Sequence, residues 1–517
     1  MTPGKSLRPD VTPVPLNQLI QGINGSLPSS WIVDISGVSV DSLDIEPGWV
    51  FVGIGGLNHH GAKFIPAALA AGAVAVVTDE AGAKYAKGFD VPLVIVDDPR
   101  KAAADISIRL YGQAVEKLTL AAVTGTNGKT TTSYMLRSAL ARHYGRVGLM
   151  ATGAMDVDDE PQYMLRTTAE APVVQRALAV ASNGGSKAAV VEVSAHAMSL
   201  HRLRGLKFAS TVFTNLQHDH LDYYKTMENY FEAKARLFDP NMSQQGTICV
   251  DDEWGRHLAN EAKVPIWTVS ALTPTPAGFE GSETHWYVKD FGPVSGKWGI
   301  GFELVSPKGQ TYKCFSPIPG AVNVQNAAAA ILSAVQCGVD IAEAIKGVAN
   351  TPAIAGRMEL IEGDAERQPN VLVDYAHTPE ALEALLQTVR PLVPGNLVLV
   401  FGTDGDRDTS KREELGQIAA RSADVLWVTD ENPRSEDPQS IRDYLLRGIA
   451  SVRSDMADVT EVKQCRRDAT RMAIQAAGPG DLVIITGKGS EAAQEVQGVF
   501  HAYSDTIVAN EVLNAPL

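Results

Sequence analysis

The stretch Leu118-Thr-Leu-Ala-Ala-Val-Thr-Gly-Thr-Asn-Gly-Lys-Thr-Thr-Thr132 constrains this chain more than any other. An apolar, β-like run ends in a turn that carries Gly125, Thr126, Asn127 and Gly128. Lys129, Thr130 and Thr131 follow, and apolar residues then recur with helical spacing at Met135, Leu136, Ala139 and Leu140. A strand, a glycine loop and a helix N-terminus in this order make an anion cradle, because backbone N–H groups point inward and the helix dipole favours phosphate. In such a cradle Lys129 reaches the terminal phosphates of a nucleotide and the Thr130 hydroxyl ligates Mg²⁺. The weaker alternative is a glycine turn that opens an ordinary helix. The longer phosphate-loop pattern has a glycine five residues before Gly128, where this chain has Val123.

A chain of 517 residues has room for two to four domains. An apolar fraction of 45% and a charged fraction of 20% are those of a soluble globular protein. The net charge of −15 argues against broad nucleic-acid binding, which needs a basic surface. Cys249, Cys314, Cys337 and Cys465 form no Cys-x-x-Cys pair, so neither a zinc site nor a disulfide framework is expected. The first ten residues lack an apolar signal core and no apolar run reaches membrane-spanning length. The expectation is a cytoplasmic enzyme that acts on small molecules as a monomer, without membrane insertion.

In chain order, residues 1–113 read as a small α/β domain, with strands at Trp49–Ile54 and Ala73–Thr78 and a helix at Phe64–Gly72. Residues 114–350 form a second domain around the glycine loop. Ala188–Ser194 is a buried-type strand with Glu192 near its carboxyl end, where a charge needs a partner or a metal and where ligands of parallel sheets collect. A third strand, Ser210–Asn215, leads into His218-Asp-His-Leu-Asp222, two histidines and two aspartates placed like a site. Tyr223–Phe238 reads as one helix, and by pattern alone Lys234 is a surface residue on it. Asn323 and Asn326 read as possible caps of an alanine-rich helix. Residues 351–517 alternate strands and helices, and four strand ends carry charged loops, the layout of a doubly wound ligand-binding domain.

These motifs together resemble the Mur ligase family, and within it the MurE branch. The resemblance rests on Gly125-Thr-Asn-Gly-Lys-Thr-Thr131, Glu192-Val-Ser-Ala-His196, Thr214-Asn-Leu-x-x-Asp-His-Leu-Asp222, Tyr230-x-Glu-Ala-Lys234, Gly356-Arg-Met-Glu359, Asp374-Tyr-Ala-His-Thr-Pro379, Gly405-Asp-Arg-Asp408, Asn432-Pro-Arg434 and Gly487-Lys-Gly489. It implies an α/β protein of three domains: a small N-terminal domain for a UDP-sugar, a central phosphate-loop domain for ATP with a mostly parallel sheet, and a Rossmann-like C-terminal domain for an amino acid. The implied reaction adds a diamino acid to UDP-N-acetylmuramoyl-L-alanyl-D-glutamate through an acyl phosphate, with ATP as co-substrate. A folylpolyglutamate-type ligase and a non-catalytic binding protein on the same scaffold are the alternatives.

By the same resemblance, Val40, Ser42, Leu57, Asn58 and His59 hold the UDP part, and Thr167, Thr168, Ser194 and Arg202 hold the muramoyl peptide. Asn326, Arg357 and His377 join residues 125–131 around ATP. Thr130, Glu192, His220 and a Lys234 carbamylated by CO₂ would surround Mg²⁺; a free ammonium would repel the ion, whereas a carbamate is an anionic ligand. Lys129, Lys234, His220 and Glu192 are the implied catalytic set. Arg407, Glu431, Asn432, Pro433, Arg434, Gly487 and Glu491 match amino-acid-binding positions. Three departures fall there: Glu431 lengthens the aspartate of the family's Asp-Asn-Pro-Arg motif, Ser490 replaces the family's histidine, and Thr403-Asp404 replace small residues, changes that would suit L-lysine or L-ornithine. Meso-diaminopimelate is favoured because Arg434 would grip its distal carboxylate. L-lysine and L-ornithine stay open, since Arg434 has Glu436 and Asp437 as near-sequence partners.

Overall fold

Three sheets follow one another along the chain, and the elements between them decide where the site lies. The computed structural model describes residues 7–515 apart from 24, 27–31, 57, 58, 160, 161, 163, 165, 274, 275, 280 and 296. The expected UDP-site residues Leu57 and Asn58 therefore lie outside the described residues, as does the side chain of Asp222.

The first sheet has five strands, in the spatial order Gly25–Ser26, Leu93–Val96, Ala75–Thr78, Trp49–Gly53 and Gly37–Ser39, parallel except at its Gly25–Ser26 edge. Its central strands are buried along their whole length, which is why they read as unbroken apolar runs. The helix Pro99–Val115 leads out of this sheet, with Asp98 as N-cap and Pro99 at its first position. An ion pair between Arg176 and Asp44, at 2.7 Å, ties the first sheet to the next.

The central sheet has ten strands. Its middle is parallel and places Ala188–Glu192, Thr119–Thr124 and Ser210–Phe213 side by side. Glu192 stands beside Val123 and Phe213 beside Thr124, so three strand ends open onto one crevice. His285–Pro293, Ile300–Val305 and Thr311–Ser316 continue the sheet, each antiparallel to the next. The helix Lys129–Tyr144 packs against Ala321–Gln336 and Ile341–Ala349, with Met135, Leu136, Ala139 and Leu140 in the shared core.

The third sheet has six strands in the order Glu359–Ile361, Asn370–Asp374, Leu482–Thr486, Leu397–Phe401, Val425–Val428 and Val459–Glu461. All pairs but the first are parallel. Thr378 caps the helix Pro379–Val389 through a 3.3 Å bond from Ala381 N–H, as the Thr-Pro pair predicts.

Two local expectations are corrected. The helix expected over Tyr223–Phe238 is broken into Leu221–Tyr224, Met227–Ala235 and a short turn Arg236–Phe238. Lys225 adopts a φ of 70°, and Thr226 starts a new helix by accepting a bond from Asn229 N–H at 3.2 Å. Neither Asn323 nor Asn326 caps a helix: Gly320 occupies the cap position, and the Asn326 amide donates to Asn323 Oδ1 at 3.0 Å. Among the described residues no helix is long and apolar enough to cross a membrane, and all four cysteines are free.

Candidate active site

The glycine loop is held open by its neighbours. Asn215 at the end of the third strand accepts from Asn127 N–H through Oδ1 at 2.9 Å, and its carbonyl accepts from Thr126 N–H at 2.9 Å. The Thr214 hydroxyl donates to the Asn127 carbonyl at 2.6 Å. Gly128 has a φ of 82°, and a Cβ there would meet Asn326 Oδ1 at 2.4 Å, so the helix N-terminus needs glycine. Asn326 is buried and its Oδ1 has no hydrogen-bond partner, an acceptor held against the loop.

Lys129 folds back to donate to the Thr126 carbonyl at 2.7 Å. Thr130 donates to Glu192 Oε2 at 3.0 Å. That carboxylate also accepts from Thr152 N–H at 2.8 Å and from the Thr152 hydroxyl at 3.0 Å. Glu192 is buried, and these three donors answer the cost of its charge. Thr130 and Glu192 bring two hard oxygen ligands together beside the cradle, the donor chemistry that Mg²⁺ takes. Thr152 was absent from the residues singled out by sequence.

Lys234 is not a surface residue. It is 1% exposed, its Nζ donates to the Gly125 carbonyl at 2.6 Å, and it lies 4.7 Å from the Tyr230 ring. Burial, reinforced by the nearby Lys129 ammonium, holds the Lys234 amine well below the usual lysine range. Burial lowers Lys129 in the same direction. His220, at a φ of 55°, sets its ring 5.7 Å from Tyr230 and 5.0 Å from His196. Among the described residues no three His, Cys, Asp or Glu side chains converge as a metal cluster. The oxygen donors found together are Thr130 and Glu192, with Lys234 on the loop beside them.

The muramoyl-peptide candidates are linked through the same carboxylate strand. Thr168 donates to the Glu192 carbonyl at 2.9 Å and accepts from Ser194 N–H at 3.1 Å. The Thr167 hydroxyl meets the Thr152 hydroxyl at 3.0 Å and, because the Thr152 proton goes to Glu192, is the donor of that pair. Arg202 donates to the Thr168 carbonyl and to Glu170, both at 2.8 Å. Glu170 is a second residue that sequence reasoning missed. Just beyond the strand Gly37–Ser39, Val40 and Ser42 are half-buried beside Asp41, which caps the turn Ser42–Asp44, and His59 is exposed. His60, beside it, is occupied with Asp79 at 2.9 Å.

From the third sheet, Arg357 lies 4.6 Å over the Tyr375 ring, and its charge is felt at Lys129. His377 Nδ1 meets the Tyr375 carbonyl at 2.8 Å, and burial lowers its pKa. Arg434 does not pair with Glu436 or Asp437, the partners its sequence neighbourhood offered. Arg412 takes Glu436 through two 2.8 Å bonds, and Asp437 caps the helix Pro438–Ala450. Arg434 instead meets Asp404 at 3.1 Å and Glu495 at 3.6 Å. Asn432 donates to Glu491 at 3.1 Å, and Arg407 is exposed.

Three family models match the chain in order: "Mur ligase family, catalytic domain" over residues 34–111, "Mur ligase middle domain" over 123–334, and "Mur ligase, glutamate ligase domain" over 356–489. The UDP-N-acetylmuramoyl-L-alanyl-D-glutamate–2,6-diaminopimelate ligase of Streptomyces coelicolor is 38% identical over 512 residues, spanning 99% of this chain and 98% of that protein. The UDP-N-acetylmuramyl-tripeptide synthetase of Leifsonia xyli is 39% identical, over 96% of both chains. A solved structure of a UDP-N-acetylmuramoyl-L-alanyl-D-glutamate–2,6-diaminopimelate ligase superposes with a TM-score of 0.64 at 31% identity, covering 97% of this chain and 99% of that one.

Proposed function

The chain belongs to the Mur ligase family, and we propose that it is an ATP-dependent ligase that adds a diamino acid to UDP-N-acetylmuramoyl-L-alanyl-D-glutamate, releasing ADP and phosphate. Full-length relatives named for 2,6-diaminopimelate support that amino acid as the one added. The observation that carries the reading is Lys234, buried in the protein with its amine 2.6 Å from the phosphate loop. A lysine is rarely buried without an ion partner, and here it sits where phosphoryl transfer would occur.

ATP lies with its phosphates on the N–H groups of residues 125–131, between Asn326, Arg357 and His377. Lys129 exchanges the Thr126 carbonyl for the terminal phosphates and draws charge off them. Thr130 and Glu192 would hold Mg²⁺, which would supply charge neutralisation at the transferring phosphoryl group. The depressed pKa of Lys234 leaves a neutral amine able to add CO₂: an N–C bond forms, one proton leaves the nitrogen, and the neutral side chain becomes an anionic carbamate whose oxygens would serve as ligands to Mg²⁺ with His220. Val40, Ser42 and His59 face the UDP end, and Thr167, Thr168, Ser194 and Arg202 orient the peptide so that its D-glutamyl carboxylate meets the γ-phosphate. The carboxylate oxygen bonds to phosphorus as ADP departs. The amine of the diamino acid, held by residues 407, 431–434, 487 and 491, then attacks the acyl phosphate carbon and expels phosphate. The protein excludes water and supplies no covalent nucleophile.

We assign the UDP-sugar to residues 1–113, ATP to 114–350 and the amino acid to 351–517, with a monomer as the active unit. The test is ADP release by purified protein with ATP, Mg²⁺ and the UDP-muramoyl dipeptide, with meso-diaminopimelate, L-lysine and L-ornithine supplied separately and product mass measured. ADP and a tripeptide product with a diamino acid are expected. Absence of both with all three amino acids would overturn the reading.

A further inference from the structure

Three strand-end loops and one hairpin meet around Arg434. Lys488, with no exposed side-chain surface, fixes them: its Nζ donates to Asn432 Oδ1 at 2.8 Å, to Glu491 at 2.7 Å and to the Ala493 carbonyl at 2.7 Å. Backbone bonds hold Arg434 itself, from Arg434 N–H to the Glu495 carbonyl at 3.1 Å and from Gln497 N–H to the Arg434 carbonyl at 2.6 Å. Gly487 brings its backbone against Glu431; a Cβ at that position, where φ is 109°, would meet Glu431 Oε2 at 2.6 Å.

The frame leaves specific atoms without partners. Asp404 Oδ1, Glu431 Oε2 and Arg434 Nε are buried and make no hydrogen bond. The cations nearest Glu431 are already committed: Arg466 to Asp505 and the Thr486 carbonyl, and Lys488 to its three acceptors. Arg434 spends one Nη on Asp404 and the other faces Glu495, yet a quarter of its side chain remains exposed, at 25%. Two orphan acceptors and one orphan donor thus lie together on these loops, where the carboxyl groups of Asp404, Glu431, Glu491 and Glu495 outnumber the cations Arg434 and Lys488.

We infer that Asp404 is a specificity-determining residue: with Glu431 it receives the distal ammonium of the incoming diamino acid, while Arg434 receives the distal carboxylate. This rests on the ligase reading above. An ammonium brings three donors, enough for both orphan oxygens, and a guanidinium fork suits a carboxylate. A distal carbon bearing both charges, as in meso-diaminopimelate, completes a ring of alternating charge with the Asp404–Arg434 pair. An amino acid lacking either charge leaves one buried group unanswered, and polar sites reject such analogues strongly. Asp404, in place of the small residue the family resemblance implies there, supplies the second acceptor.

The test is the kcat/KM of the wild-type protein, D404N and E431Q, each with meso-diaminopimelate, L-lysine (no distal carboxylate) and 2-aminopimelate (no distal ammonium). Wild-type protein is expected to prefer diaminopimelate over both by ~100-fold or more. D404N lowers the preference over 2-aminopimelate at least ~10-fold, mainly through the KM for the amino acid, and E431Q lowers it in the same direction. Preference ratios unchanged in both variants would overturn the inference, as would a wild-type preference for L-lysine; in either case the ligase reading stands. Failure of wild-type protein to release ADP with any of the three would instead overturn the ligase reading and this inference with it.

Discussion

Nζ of Lys234 and the carbonyl oxygen of Gly125 lie 2.6 Å apart, so a lysine on the helix Met227–Ala235 closes onto the first residue of the phosphate loop. Lys129 makes the same kind of contact with the Thr126 carbonyl at 2.7 Å. Two amines therefore crowd one turn; burial lowers the proton affinity of both, and the Lys129 charge lowers that of Lys234 further. Phosphate binding at Lys129 and CO₂ addition at Lys234, as proposed above, would both relieve that crowding. Lys234→Ala is expected to lose ~100-fold or more in kcat, the scale of losing one preorganised electrostatic group. Lys234→Arg, which cannot form the carbamate, stays inactive when bicarbonate is raised. ADP release measured across a bicarbonate series checks this, and wild-type turnover by Lys234→Arg would remove the carbamate from the mechanism.

Gly128→Ala tests the cradle itself. The φ of 82° strains any L side chain, and the new Cβ would enter the space of Asn326 Oδ1 at 2.4 Å. Either the helix N-terminus shifts or Asn326 leaves the loop. The expected result is a ~10-fold or larger rise in the KM for ATP, with the far-UV circular dichroism of the wild type retained. Nucleotide affinity measured by calorimetry separates this from misfolding.

Thr152→Val removes the hydroxyl that donates to Glu192 Oε1 while leaving the backbone donor to Oε2 in place. Glu192 then keeps its charge but loses part of its orientation. The expectation is a severalfold increase in the Mg²⁺ concentration for half-maximal ADP release, since partners of metal ligands commonly tune affinity by ~10-fold or more. An unchanged Mg²⁺ titration would make Thr152 a packing residue only.

These residues also mark what sequence alone could and could not reveal. The cradle was legible because strand, glycine loop and helix are consecutive, and each step of Leu118–Thr132 states its own preference. The strand ends of the third sheet were legible for the same reason, as apolar runs stop at charged turns. Lys234 was not legible as a buried residue, because its partner carbonyl lies 109 residues away and the helical pattern around it is amphipathic in the ordinary way. Thr152 and Glu170 gain meaning only when distant segments align on the Glu192 strand. Arg434 was misdirected by proximity: Glu436 is claimed by Arg412, 24 residues upstream, and the arginine turns to Asp404 and Glu495.

Arg466 and Asp505 form an ion pair with no solvent exposure at either side chain, through two bonds of 2.9 and 2.8 Å. Tyr503 also donates to Asp505, at 2.7 Å. The pair ties the helix Arg466–Ala476 to the helix Asp505–Leu513. Arg466→Met strands a buried carboxylate, and the expected cost is ~3–5 kcal/mol. Urea unfolding followed by a probe in the third sheet reads this directly. The double variant with Asp505→Asn should recover part of the loss, because the uncompensated charge goes with it.

Glu431 gives the stability a pH dependence of defined sign. Burial, then the nearby Asp404 charge, raises its carboxyl from the ordinary 4.5 to about 8. Arg466, Lys488 and Glu491 also face it, the two cations opposing the shift and the glutamate adding to it. Between those two values the folded chain, with no amino acid bound, holds a proton on Glu431 that the unfolded chain has released; a bound ammonium would displace that proton. The folded state thus binds more protons, and stability falls as pH rises through the window from about 4.5 to about 8. One such proton changes stability by at most ~1.4 kcal/mol per pH unit. Glu431→Gln removes the titration but keeps the shape. The thermal midpoint of the variant should therefore gain on the wild type steadily from pH 5 to pH 8, and parallel curves would show that Glu431 is ionised in the folded protein throughout.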